Sequence, residues 1–106
     1  MRGNALRFSD YPALTFEKPD METFSALSLA YQAGRAGGLL PVAFNSADEA
    51  AVQYFLEGKL PYLGIAEAIA YAMGQTVNIP FPTLGQIWET DQAAREAVLK
   101  FISLKD

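Results

Sequence analysis

Asp48 and Glu49 are adjacent carboxylates, and paired carboxylates can exchange protons or hold a divalent ion. On a helix, however, residues i and i+1 point apart, so this pair does not converge on one substrate atom. Gly34, Gly37 and Gly38 form a small glycine cluster that could cradle a phosphate. Their spacing fits neither G-x-G-x-x-G nor the Walker pattern, and no strand precedes them, so a helix terminus is the better account. Trp88, with Tyr54, Tyr62 and Tyr71, could stack on a flat ligand, but aromatics at helical spacing usually belong to the core. Asn45 stands out differently: an amide inside an apolar stretch must find partners if it is buried. A local backbone hydrogen bond near a helix end and a contact to another domain both remain open for it.

Composition narrows the chemistry further. The 106 residues contain no cysteine and no histidine. Disulfides are therefore excluded, thiolate and imidazole zinc sites are excluded, and nucleophilic triads lose their usual base. The net charge of −4 comes with eight basic residues scattered singly, whereas nucleic acid requires a clustered basic stripe. An anionic membrane surface is disfavoured for the same reason. The apolar run Leu39 to Phe44 is far short of a membrane span. No signal peptide is visible, so a cytoplasmic location is expected. Half of the residues are apolar or aromatic, a high share for one small domain. Either the core is dense, or one face is meant to be covered by something else.

The elements that would position these residues are helical. Residues 1–20 carry Pro12 and Pro19 around Leu14-Thr15-Phe16 and show no helical period, which predicts an extended linker or arm. From Asp20, a candidate N-cap with Glu22 in the first turn, the period becomes helical. Met21, Phe24, Leu27 and Tyr31 form one apolar stripe on a helix over 21–36, stopped by Gly37 and Gly38. Pro41 opens a second helix that ends at Gly58. Its stripe of Phe44, Ala47, Ala51 and Phe55, flanked by Val52 and Leu56, suits a central helix with neighbours on two sides. A third helix spans roughly Leu63 to Met73, with Ile65, Ile69, Ala72 and Met73 on one side. Asn78 to Pro82 is a loop. Thr83 can cap a short fourth helix carrying Leu84, Ile87 and Trp88. Thr90 or Asp91 would cap a last one with Ala94, Ala97, Val98, Phe101 and Ile102 facing in. The expected fold is all-α: a small bundle of four to five helices over residues 21–106, preceded by the arm over 1–20.

Three stretches resemble a known family. Ala13-Leu14-Thr15-Phe16-Glu17-Lys18-Pro19-Asp20 resembles the S-L-T-F-E-x-P-D run of the 1-deoxy-D-xylulose 5-phosphate reductoisomerase family. Phe44-Asn45-Ser46-Ala47-Asp48-Glu49-Ala50-Ala51-Val52 resembles its L-N-A-A-N-E-x-A-V helix, followed in both by Phe55-Leu56, Gly58-Lys59-Leu60 and Leu63-Gly64-Ile65. Asp91 with Ala94-Arg95 resembles its D-x-x-A-R opening of the last helix. Departures fall at Asp48, where the family has a second asparagine, at Ser46, where it has alanine, and at Arg7, where it has aspartate.

The resemblance implies the C-terminal helical domain of an enzyme that rearranges and reduces 1-deoxy-D-xylulose 5-phosphate to 2-C-methyl-D-erythritol 4-phosphate in the non-mevalonate route to isoprenoids. It implies NADPH and a divalent metal (Mg or Mn) held by other domains, the catalytic and NADPH-binding domains as partners, and a homodimeric parent. No catalytic, cofactor or metal residue of the family maps onto this chain, so the isolated chain is expected to be inactive. Phe16, Asn45 and Glu49 are the candidate interdomain contacts, on an exposed face expected to include the arm and part of the second helix. The alternative is a free-standing helical interaction module without catalysis.

Overall fold

A computed structural model of the chain describes residues 21–105; the segment expected to form the arm, with Asp20 and Phe16, lies outside them. Four α-helices follow in order: α1 (Met21–Ala36), α2 (Leu40–Leu56), α3 (Ile65–Gly74) and α4 (Leu84–Lys105), with a single 3₁₀ turn at Tyr62–Gly64 leading into α3. Helix α2 is central and packs against α1, α3 and α4, and α3 also packs against α1 and α4.

The boundaries obey local chemistry. Gly37 and Gly38 end α1 with φ of 67° and 66°, and Gly58 follows α2 with φ of 80°. These left-handed values are cheap for glycine and strained for other residues. Gly38 is needed for space as well: a Cβ there would lie 2.5 Å from the Ile79 carbonyl oxygen. Pro41 sits in the first turn of α2, where its missing N–H leaves nothing unpaired. Thr83 and Gln86 form a reciprocal cap on α4: the Gln86 amide donates to Thr83 Oγ1 at 3.1 Å, and the Thr83 amide donates to Gln86 Oε1 at 2.9 Å.

The starts of α2 and α3 are capped from a distance. Helix α2 has no side-chain cap of its own. Asn78, from the loop before α4, accepts from the Leu39 amide at 2.7 Å and the Leu40 amide at 3.3 Å. Glu22, buried in the first turn of α1, accepts from the Ala66 amide at the start of α3. The carboxylate expected to serve its own helix end thus serves a neighbour's, where the positive end of the α3 dipole also favours it.

The core is built largely from alanine. Ala43, Ala47, Ala50 and Ala51 of α2 meet Ala68 and Ala72 of α3 and Ala94 and Ala97 of α4, with Ile69 and Val98 the largest fully buried side chains. Small side chains let helix axes approach toward the short end of the usual 8–10 Å range, and alanine loses no rotamer freedom on burial. Larger groups ring this seam. Phe55 meets Tyr62 edge-on at 5.8 Å between ring centroids, and Tyr71 lies 5.7 Å from Phe101.

Three expectations are corrected. The short fourth helix and the last helix are one continuous α4, with Thr90 and Asp91 inside it. Glu89, Gln92 and Ala93 propagate a helix well, and the Asp91 carboxylate reaches sideways to α2 instead of back to an amide. The stripe of Met21, Phe24, Leu27 and Tyr31 is exposed. The packed side of α1 is Glu22, Leu29 and Ala33, spaced seven and four apart on the opposite side. Trp88 and Tyr62 are exposed as well, while Tyr54 and Tyr71 are half-buried against the core.

Candidate functional site

The two family-like segments of the bundle meet in space. Ser46 lies on the buried side of α2 facing α4, and its hydroxyl donates to Asp91 Oδ1. The same carboxylate accepts from Arg95 Nε at 3.1 Å and, through Oδ2, from Gln92 Nε2 at 2.9 Å. Arg95 Nη2 then crosses back to α2 and donates to Glu49 Oε1 at 2.8 Å. Ser46 and Glu49 stand three apart on α2, Asp91 and Arg95 four apart on α4, so each pair shares one helix face. The result is a polar clasp between the two helices that share the largest interface.

Electrostatics mark the clasp as structural. The Ser46 hydrogen bond, helped by Arg95 and Gln92, holds the Asp91 carboxyl below its ordinary value of 3.8 against the opposing effect of burial. The Glu49 hydrogen bond, followed by that of Asp91, stabilises the Arg95 cation. A general base working near neutral pH needs the opposite displacement, and Ser46 gives its proton to an acceptor that does not take it up at neutral pH. Asp48 is displaced upward, first by burial and then by the neighbouring Glu49 charge. Its carboxylate and that of Glu49 do not converge: Glu49 is exposed and engaged by Arg95, while Asp48 is half-buried. The glycine cluster holds no free cradle either, because the amides it delivers at Leu39 and Leu40 are taken by Asn78.

Asn45 is exposed on α2, and its side-chain amide makes no hydrogen bond among the described residues. It shares a face with Glu49 at i,i+4. Of the expected contact residues, Asn45 and Glu49 are therefore brought together, and Phe16 lies outside the described residues. A groove with a volume of about 450 Å³ runs between α1 and α3, lined by Phe24, Ser25, Ser28, Leu29, Ala66, Glu67 and Ala70. Its two hydroxyls and one exposed carboxylate do not form a convergent catalytic set. Among the described residues, no three acidic groups are grouped to hold a metal ion.

Exposed apolar surface is the remaining feature, and among the described residues it extends beyond the part of α2 expected to carry it. Helix α2 contributes Val52 and Leu56. The larger gatherings are Met21, Phe24, Leu27 and Tyr31 on α1, and Val77, Phe81, Leu84 and Trp88 where the last loop enters α4. No helix among the described residues is long and apolar enough to cross a membrane. Sequence reasoning missed the clasp, although a serine inside an alanine stripe and an Asp–Arg pair at i,i+4 were its visible signals.

The chain is 47% identical over 97 residues to the 1-deoxy-D-xylulose 5-phosphate reductoisomerase of Thermoanaerobacter sp. (strain X514), covering 92% of this chain and 25% of that protein. It is 45% identical over 93 residues to the enzyme of the same name from Lachnospira eligens, covering 88% of this chain and 24% of that protein. The solved reductoisomerase from Zymomonas mobilis, in complex with NADPH, superposes with a TM-score of 0.70 at 29% identity, covering 96% of this chain and 27% of that one. The chain thus spans about a quarter of the length of the curated relatives it matches. A family model described as the DXP reductoisomerase C-terminal domain matches residues 2–97, and the chain belongs to that family.

Proposed function

We propose that this chain works as the C-terminal helical domain of a 1-deoxy-D-xylulose 5-phosphate reductoisomerase and supports the catalytic part of that enzyme without taking part in its chemistry. The observation that carries the reading is the family match over residues 2–97, in a bundle whose α2–α4 clasp commits its polar groups to one another. In this reading NADPH and a divalent metal belong to the other domains, as the family resemblance implies. The parent would be a cytoplasmic homodimer, as the family resemblance implies. Phe16, Asn45 and Glu49 would touch the neighbouring domain. The bundle then affects the rate by holding active-site walls in the geometry the reaction requires.

The test uses the full-length gene product. Consumption of NADPH with 1-deoxy-D-xylulose 5-phosphate is measured for the intact enzyme and for one truncated before Met21. Activity of the intact enzyme and its loss on truncation are expected, and the 106-residue chain alone should consume no NADPH. A gene product of 11.6 kDa on an immunoblot of the source cells would instead favour the free-standing interaction module.

A further inference from the structure

We infer that the outward face of α1, formed by Met21, Phe24, Leu27 and Tyr31, seats the part of the reductoisomerase chain that precedes this domain. The inference rests on the reading above that the chain is one domain of a longer enzyme.

The four side chains recur at steps of three, three and four, so they form one continuous ridge. Together they expose on the order of 400–500 Å², as large as the largest apolar patch of a typical monomer, and such patches commonly mark interaction sites. The bundle itself does not cover the ridge, because α1 packs on α2 and α3 through its opposite side. Beside the ridge runs the groove between α1 and α3, whose wall is Phe24, Leu29, Ala66 and Ala70. Ridge and groove together offer a surface with relief, as a packed interface requires. Ser28 and Gln32, hydrogen-bonded to each other at 3.2 Å, and Arg35, whose guanidinium lies 5.5 Å over the Tyr31 ring, supply a polar rim.

The length and position of the missing chain identify the occupant. The matching relatives are about four times as long, and the family is that of a C-terminal domain, so their remaining three quarters come before this segment. Residues 1–20 join that chain to the start of α1. A tethered neighbour meets the ridge at an effective concentration in the mM range, so even a modest apolar surface is held closed.

The chain has no cysteine, so a thiol placed in it is unique within the domain. In the full-length protein, Leu27→Cys and Leu104→Cys are compared by maleimide labelling, read on the peptides that carry each thiol. Leu27 and Leu104 are 61% and 65% exposed in the bundle, so without a covering partner they should label at similar rates. We expect the thiol at position 27 to react at least about ten-fold more slowly; equal rates overturn the inference. A photo-reactive p-benzoyl-phenylalanine in place of Phe24 then identifies what lies over the ridge. Capture of a peptide from the preceding three quarters supports the inference. Capture of residues 1–20 or of this same domain from a second copy overturns it. Neither readout depends on turnover: an enzyme inactive on 1-deoxy-D-xylulose 5-phosphate would fail the functional reading alone.

Discussion

The seam between α2 and α4 and the outer face of α1 use their side chains in opposite ways. At the seam, alanines bring the helices close, and the few polar groups are spent on each other: Ser46 on Asp91, Asp91 on Arg95, Arg95 on Glu49. On α1, Glu22, Leu29 and Ala33 turn inward, and Met21, Phe24, Leu27 and Tyr31 turn out. Size therefore does not say which face is buried. Between the closely packed helices the small residues are mostly interior, and on α1 four large ones lie on the face that the bundle leaves open.

The contrast can be broken by substitution. The largest effect should come from the seam's filling: Ile69→Ala removes most of a fully buried side chain and should destabilise by about 2–5 kcal/mol in urea unfolding. Next is the clasp. Ser46→Ala takes the main donor from a carboxylate and should cost about 1–2 kcal/mol near pH 7. Because the folded Asp91 pKa lies below 3.8, its contribution is complete above that value and is lost as pH falls through the folded value. Wild type should therefore lose more stability on strong acidification than the Ser46→Ala protein does. If the two acid profiles coincide, Ser46 is not what holds the Asp91 charge.

Asp48 sharpens the comparison with the opposite sign. Its folded pKa lies above 3.8, so its charge destabilises the fold at neutral pH, and that penalty is relieved as pH falls through the folded value toward 3.8. Asp48→Asn, which restores the family's residue, should raise the melting temperature at pH 7 by about 1–3 °C and have little effect near pH 3. The smallest effect on the bundle belongs to α1: Leu27→Ser should change its stability by no more than about 0.5 kcal/mol. A loss as large as that of Ile69→Ala would erase the distinction between the two regions.

The sequence by itself determined whatever depends on neighbours a few residues apart. The limits of α1, the glycine stops at Gly37 and Gly58, Pro41 in a first turn, the Thr83 cap and the inward faces of α3 and the second half of α4 were all legible. So was the family, through three segments that keep their order and spacing. Tertiary structure alone decided the rest, because the deciding partners are distant in the chain. Asn78 caps α2 from 39 residues away, Glu22 caps α3 across 44, and Asp91 meets Ser46 across 45. An aspartate that reads locally as a helix start becomes a helix interior once a buried hydroxyl on another helix claims its carboxylate. Likewise the periodicity of α1 showed that it has two unlike faces, but the orientation of α1 against α2 and α3 determined which of them is left uncovered by the bundle.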